Sequence, residues 1–221
     1  MSEIIYLSNV RLSFPHLIEP QKRVNQETGK ERDAYTAEFI MDPTHPGYAQ
    51  FMTEYANMAV EKWKDHARTV MSMIHAERKQ RCYGPGEEKV NKKTFQVYDG
   101  YVGKVFLSAS KDVPPQIIQP NGQPVDPTNT MAYQQLTRKM YGGCRVNAAV
   151  RPWLQDNKHG RGVRCDLIAV QFAGDDVAFG EGNVDVSGMF GAVATAPAAA
   201  TPAPQMPGAP FPAPGVPSFL S

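Results

Sequence analysis

Basic residues alternate with aromatic ones in several segments of the 221-residue chain. In one segment Trp153 lies between Arg151 and Lys158, and in another Arg32 comes shortly before Tyr35. Single-stranded nucleic acid is bound by this combination, because cations follow the phosphates and flat rings stack on unpaired bases at ~1–3 kcal/mol per base. The pattern therefore favours single-stranded nucleic acid as the partner, and it does not specify DNA or RNA.

The candidate binding residues form two sets and share an alternative. Those predicted to contact phosphates are Arg11, Lys22, Arg23, Lys104, Arg145, Arg151, Lys158 and Arg164. Those predicted to stack on bases are Tyr35, Tyr98, Tyr101, Tyr141 and Trp153. Core packing is the alternative for every ring, and it is favoured for Phe14, Phe39, Phe106 and Phe172. Trp153 differs because it lies in a polar connection, where an exposed ring indicates a ligand.

Motifs for catalysis or metal binding do not occur in the sequence. None of the five histidines has a partner at i+4 or a nearby cysteine for a metal site, and nucleophile-elbow, phosphate-loop and zinc-protease motifs are missing. Asp175 and Asp176 adjoin each other at the edge of a tail, whereas a two-metal nuclease needs carboxylates on rigid elements. We therefore expect a non-catalytic protein without cofactor or metal, with a nuclease as a distant alternative.

The charge is unevenly distributed along the chain. All 23 Lys and Arg residues precede residue 174 and four of the 22 acidic residues follow it, so residues 1–173 carry +5 and the rest −4. A basic body suits an anionic partner.

The three cysteines form neither a disulfide framework nor a zinc pattern, which indicates a reducing compartment. We expect a cytoplasmic protein, because neither an apolar run of ~20 residues nor a secretory signal is found.

Hydrophobic patterning predicts a mainly β fold with one long helix. Alternating apolar residues predict strands at 4–14, 34–41, 94–98, 101–110, 141–150 and 163–172. Apolar residues at helical spacing predict a helix over 46–78, and Asp99-Gly100 predicts a hairpin turn. Residues 114–130 and 151–162 are predicted to be loops. The expected architecture is a small, strongly curved barrel with an inserted helix and an extra hairpin.

The C-terminal segment differs in composition from the rest of the chain. From Val186 onward it has no charged residue and is rich in Ala and Pro, so it cannot bury enough apolar area to offset the entropy of ordering. We predict a binding domain over 1–174 and a disordered tail over 175–221. The end of the tail, with Phe219 and Leu220, is either an unstructured end or a short motif that docks a protein partner.

Several segments, in their order and spacing, resemble a family of phage single-stranded DNA-binding proteins that was long catalogued as a domain of unknown function. The segments are VRLSFPHLIEP (10–20), DAYTAEFIMDP (33–43), YGGCRVNAAVRPW (141–153), GRGVRCDLIAVQF (160–172) and DDVAFG (175–180). The resemblance covers most of 5–182. It implies an OB-fold, a five-stranded and partly open barrel whose face and loops bind oligonucleotides.

The resemblance also implies a function. Members coat and protect exposed single-stranded DNA, whatever its sequence, in phage DNA replication, recombination or repair in the bacterial host cell. The tail departs from the acidic ends typical of this class, because its acids stop at Asp185; electrostatic shielding of the DNA groove by the tail is therefore expected to be weak. Homo-oligomers and replication or recombination proteins are further expected partners. Two other classes stay open: a single-strand annealing recombination protein, and a structural or virion interaction module that binds no DNA.

Overall fold

A computed structural model describes residues 2–24, 31–126, 128–158 and 160–180. This part of the chain contains seven β-strands and three α-helices. The strands are β1 (Ile5–Val24), β2 (Glu31–Met41), β3 (Tyr83–Pro85), β4 (Val105–Lys111), β5 (Gln116–Ile118), β6 (Arg145–Asn157) and β7 (Gly160–Gly174). The helices are α1 (Pro46–Trp63), α2 (Ala67–Ala76) and α3 (Thr130–Thr137). The mainly β fold class is thereby confirmed.

The described strands form one sheet that curls. Their order is β3-β4-β2-β1-β6-β7-β5, and every pair is antiparallel except β5 with β7. β4 approaches β7 without ladder hydrogen bonds, so the sheet bends into a partly open barrel. The predicted five-stranded barrel lacked the short strands β3 and β5, which hold only three residues each and leave no detectable alternation in the sequence.

The first strand is much longer than the predicted segment 4–14. β1 runs through Pro15 because the β1–β2 register shifts between Ser13 and His16. A bulge of this kind leaves residues outside the ladder, so a proline without an N–H is tolerated there. Phe14, inside the bulge, has a φ of 46°, which is rare for a bulky residue. The bulge therefore turns the Phe14 side chain away from the core, where its burial had been favoured.

The long helix is divided into two. α1 ends at Trp63, and a 3₁₀ turn from Lys64 to His66 connects it to α2. Lys64 has a φ of 48°, which interrupts the helical hydrogen-bond ladder. The apolar spacing continues across this break, because buried side chains from both helices pack on the same core, so periodicity alone predicts one helix. Within the described ranges, no helix is both long and apolar enough to cross a membrane.

Two predicted boundaries in the β regions are wrong. The predicted hairpin around Asp99-Gly100 is a loop in which Val90 and Val97 form an isolated bridge, and the following strand begins only at Val105. The fully buried ring of Tyr101 packs on Ile40 and Phe106 and holds this loop. Conversely, the predicted loop 151–162 is the paired end of β6 and β7. Its polar residues resemble a loop because both faces of that ribbon are largely exposed.

Residues 175–180, assigned from composition to the tail, pack against the domain where the structure describes them. The Phe179 N–H donates to Gly142 O at 2.9 Å, and the Phe179 ring joins the cluster that contains Tyr101. We call 175–180 the C-terminal strap. It connects the loop around residue 99 to the start of β6. The remainder of the predicted tail, with Phe219 and Leu220, lies outside the described residues.

The strap depends on a glycine, which gives a first testable prediction. At Gly143, with a φ of 109°, an added Cβ would lie 2.4 Å from Val177 O. At Gly103, with a φ of 69°, an added Cβ would meet nothing within 4 Å. We expect Gly143→Ala to lower the free energy of unfolding by about 3 kcal/mol and Gly103→Ala by about 1 kcal/mol, because only the first adds a clash to the backbone strain.

Urea unfolding of both variants measures this difference. Equal losses of stability would contradict the close packing of the strap on residue 143.

Candidate nucleic-acid interface

Three adjoining cavities form a trough along one face of the curled sheet. The outward face of β2 contributes Thr36 and Glu38, while the alternate residues Ala37 and Phe39 belong to the core. We call the three cavities the aromatic pocket, the central cleft and the outer cleft. Phe14 lines both the aromatic pocket and the central cleft. Ser110 and Arg164 line both the central and the outer cleft, so each cavity shares wall residues with the next.

The aromatic pocket has a volume of about 530 Å³ and is lined by Phe14, Tyr98 and Phe179. Phe14 is 46% exposed, and its ring meets that of Tyr98 edge-on with the centroids 5.2 Å apart. The guanidinium carbon of Arg11 lies 4.3 Å from the centroid of Phe179, a cation–π contact. The pocket therefore presents aromatic surface beside a fixed positive charge.

The central cleft, of about 430 Å³, is lined by cations from several elements. Arg78 and Lys89 both lie over the buried ring of Phe106, 4.7 and 4.5 Å from its centroid. Lys89 is paired with Glu38, and the Tyr101 hydroxyl donates to the same carboxylate at 2.8 Å. Burial lowers the pKa of Lys89 in spite of this pairing. The one carboxylate in the wall of this cleft is thus neutralised by its neighbours within the described residues.

The outer cleft, of about 830 Å³, places Trp153 beside Arg164. The two residues face each other across the β6–β7 pair, and the Trp153 side chain is 41% exposed. Arg164 is held in place because its Nε donates to Gln155 Oε1 at 3.0 Å and its Nη1 to Lys79 O at 2.9 Å. Burial lowers the pKa of Arg164, but a guanidinium stays charged at neutral pH. The cleft therefore combines an open ring with a fixed cation.

Arg11 and Arg145, from the predicted phosphate set, converge on the C-terminal strap. The Nε atoms of Arg145 and Arg11 lie 2.6 and 3.5 Å from Asp176 Oδ2. The backbone N–H of Val177 and then Arg145 lower the pKa of Asp176. The hydroxyl of Tyr141, from the stacking set, donates to Asp176 O at 2.8 Å. All three side chains are engaged with the strap, and Arg11 also covers the Phe179 ring of the aromatic pocket.

The other members of the phosphate set whose side chains the structure describes line none of the three cavities. Lys22 pairs with Glu31 at 3.6 Å on the exposed end of the β1–β2 ribbon, next to Arg23, whose side chain lies outside the described residues. Lys158 is exposed at the turn between β6 and β7. Arg151 faces Asp166, an outer-cleft residue, across β6 and β7. Lys104 is engaged elsewhere, because it pairs with Asp42 at 2.6 Å.

The stacking set is similarly divided. Tyr98 lines the aromatic pocket and Trp153 the outer cleft. Tyr101 is completely buried and offers no ring face to a ligand. Tyr35 is half-buried and alternates with the trough-facing Thr36 on β2, so it lies on the other face of the strand. Of the five predicted rings, Tyr98, Tyr101 and Trp153 thus line the trough, but only Tyr98 and Trp153 are exposed in it, at least in part.

Sequence reasoning missed several trough residues. Phe14 was assigned to the core, although the adjacent Pro15 signals a bulge that reorients its neighbours. Arg78 and Lys79 were not among the predicted phosphate contacts, yet they line the central cleft. Arg32 and Lys111 line the outer cleft, and Arg32 is paired there with Asp112 at 3.2 Å. Only the packing of distant elements reveals these residues.

Comparison with known proteins defines the class to which this fold and trough belong. A family model described as the Enterobacter phage Enc34 ssDNA-binding protein matches residues 3–197. The chain belongs to this family. The assignment confirms the resemblance noted from the sequence, and it confirms the prediction of a non-catalytic protein because the family is one of binding proteins.

Individual relatives agree with the family assignment. The chain is 32% identical over 183 residues to putative protein p50 of Acyrthosiphon pisum secondary endosymbiont phage 1, covering 81% of this chain and 88% of the relative. The single-stranded DNA-binding protein from bacteriophage Enc34 in complex with ssDNA is similar in fold, with a TM-score of 0.58 and 23% identity over 80% of this chain and 89% of that one. A C-terminal truncation of the same phage protein gives a TM-score of 0.54 at 24% identity, covering 80% of this chain and 88% of that one.

Proposed function

We propose that this protein binds single-stranded DNA without sequence requirement and coats and protects exposed strands during phage DNA replication, recombination or repair in the host cytoplasm. The family membership supports single-stranded DNA as the partner. One observation carries the proposal: exposed rings, Phe14 and Trp153, lie in the two end cavities of the trough, and the cation Arg164 lines both the central cleft and the outer cleft that contains Trp153.

Different residues of the trough suit the phosphate and the base of a nucleotide. Its cations attract the phosphates, which supply affinity for any sequence. Its rings stack on unpaired bases, and every base has a π-face, so stacking is tolerant as well. Paired bases are already stacked on each other, which makes duplex DNA the weaker ligand. In this proposal Lys104 and Tyr101 have no contact with DNA, and the phosphate path is formed by Arg32, Arg78, Lys79, Lys111 and Arg164, with Arg11, Lys22, Arg23, Arg145, Arg151 and Lys158 along its rims.

Salt dependence tests the phosphate path. The logarithm of the binding constant should fall linearly with the logarithm of salt concentration, by about 0.7 for each phosphate neutralised on a single strand. Arg164→Gln should reduce the magnitude of that slope by about 0.7, because one phosphate contact is lost. Arg68→Gln on α2 is the matched control, since Arg68 is exposed and lies outside the trough. A slope that Arg164→Gln and Arg68→Gln leave equally unchanged would remove Arg164 from the path.

A single-strand annealing protein is the nearest alternative function. It would share the basic, aromatic surface but would accelerate the pairing of complementary strands. Mixing two complementary labelled oligonucleotides with the protein separates these functions. A coating protein should slow or leave unchanged the rate of duplex formation at saturating concentration, whereas an annealing protein should raise it. A structural or virion interaction module would bind neither oligonucleotide.

Protein partners form a finer part of the proposal. We keep the prediction that residues beyond the strap, 181–221, form a tail and that Phe219 and Leu220 dock replication or recombination proteins of the phage or host. The domain boundary proposed on the described contacts moves from 174 to 180, because the strap packs on the domain.

A further inference from the structure

We propose that the aromatic pocket is a binding site for one unpaired nucleobase, and that Asp99 selects bases whose pairing edge carries an exocyclic amino group. This inference rests on the proposed function and adds to it a single position at which the otherwise tolerant trough discriminates between bases.

The rings of the pocket are arranged to receive a flat ligand. Phe14 is exposed although it is bulky and apolar, and its φ of 46° is an uncommon conformation for such a residue. Tyr98 supports it edge-on at a centroid separation of 5.2 Å. Held in this way, the open face of Phe14 remains available for stacking, and the held conformation lowers the entropy lost on binding.

The third ring of the pocket, that of Phe179, is held in place by its contacts with the domain. An added Cβ at Gly100 would lie 2.3 Å from the Phe179 ring, so only glycine permits this approach. The Phe179 backbone is anchored on Gly142 O, and the guanidinium of Arg11 covers the ring. The pocket is therefore built from both ends of the domain and does not depend on a single loop.

The wall that the aromatic pocket shares with the central cleft indicates which ligand reaches the pocket. Phe14 belongs to both cavities, so a strand with its phosphates beside the cations of the central cleft can place a neighbouring base against Phe14. The pocket itself contains the carboxylate of Asp99, which repels a phosphate. A base is thus the part of a nucleotide that fits.

Asp99 and Asn91 supply hydrogen-bonding groups at the rim of the pocket. One carboxylate oxygen of Asp99 accepts from Gly180 N at 3.3 Å, and the carboxylate keeps further acceptor capacity. Asn91 Oδ1 accepts from the N–H of Lys93 at 2.8 Å, so its amide hydrogens are the groups available to a ligand. An acceptor and a donor in the lining of one pocket match cytosine, whose edge presents an amino group next to N3. Uracil and thymine present a carbonyl at the amino position, which a carboxylate disfavours.

Two oligonucleotides of equal length, oligo-dC and oligo-dU, isolate this difference, because the bases differ only at C4 and in the proton on N3. We expect the full-length protein to bind oligo-dC about fivefold more tightly than oligo-dU in fluorescence anisotropy at pH 8. Asp99→Asn should abolish this ratio without weakening the binding of oligo-dU, since Asn keeps an acceptor for Gly180 N and adds a donor for the uracil carbonyl. Phe14→Leu should weaken both oligonucleotides, whereas Tyr6→Leu, at an exposed ring outside the trough, should weaken neither.

Equal affinities of the unmodified protein for the two oligonucleotides, or a ratio that Asp99→Asn leaves intact, would overturn the assignment of Asp99. Binding that Phe14→Leu leaves unchanged would overturn the base pocket while the coating function stands. Failure of the unmodified protein to bind either oligonucleotide would overturn the proposed function together with this inference.

Discussion

Replacing Trp153 with alanine should weaken the binding of single-stranded DNA by roughly 5- to 150-fold, equivalent to ~1–3 kcal/mol of lost stacking. The Trp153 ring is exposed in the outer cleft and lies across the β6–β7 pair from Arg164. A base that stacks on this exposed ring also brings its phosphate close to a cation. Trp153 should therefore contribute more to the binding free energy than any other residue of the outer cleft. Fluorescence anisotropy with a mixed-sequence oligonucleotide measures the effect.

Two controls make the result specific. Tyr6→Ala removes an aromatic side chain that is 58% exposed and lines no part of the trough, so its affinity should match that of the unmodified protein. The only other tryptophan, Trp63, is buried and donates to Asp156 Oδ2 at 2.8 Å, so quenching of intrinsic fluorescence on DNA addition should be lost in Trp153→Ala. Unchanged affinity together with unchanged quenching would mean that Trp153 has no contact with DNA.

The second large effect concerns stability. Glu38→Gln should lower the free energy of unfolding by about 3 kcal/mol, because it leaves the ammonium of Lys89 largely buried without its counter-charge. Both side chains are about one-sixth exposed, and the Tyr101 hydroxyl also donates to Glu38. Urea unfolding of the purified variant measures the loss. In the exposed Lys22–Glu31 pair, the corresponding change Glu31→Gln should lower the free energy of unfolding by less than about 1 kcal/mol.

A double variant separates the ion pair from general disruption. Adding Lys89→Met to Glu38→Gln removes the stranded charge and should restore part of the lost stability, since an apolar side chain of similar length fits a site beside Phe106. If Glu38→Gln costs no more than Glu31→Gln, or if Lys89→Met adds a further full loss, the buried pair does not stabilise the wall of the central cleft.

The sequence predicted those parts of the fold in which burial is one-sided. β2 was located closely because the buried apolar residues Ala37 and Phe39 alternate with the polar residues Thr36 and Glu38. The interruption of the predicted helix at Lys64 could not be detected in the sequence, because the apolar faces of α1 and α2 remain in phase and pack on one core. The prediction for the end of the β6–β7 ribbon was wrong for the opposite reason. A paired strand whose two faces are largely solvent-exposed shows no alternation of apolar and polar residues.

The candidate site was predicted less completely than the fold. Trp153 could be singled out because an aromatic residue in a polar segment lacks an obvious core to enter. Tyr101 could not be separated from Tyr98, although they are three residues apart, because the ring of Tyr101 is buried against Ile40 of β2 and Phe106 of β4. Phe14 was misassigned because alternation assumes an unbroken strand, and the bulge reverses the facing of the residue within it. Each error arises from a contact between segments distant in sequence.

The central claim is preferential, electrostatically driven binding of single-stranded DNA, and one titration tests it most directly. A labelled mixed-sequence oligonucleotide is presented to the full-length protein as a single strand and as a duplex, and anisotropy is recorded at several salt concentrations. We predict tighter binding of the single strand at every salt concentration, with affinity that falls steeply as salt increases. No binding of the single strand at low salt, or equal binding of single strand and duplex, would contradict the account.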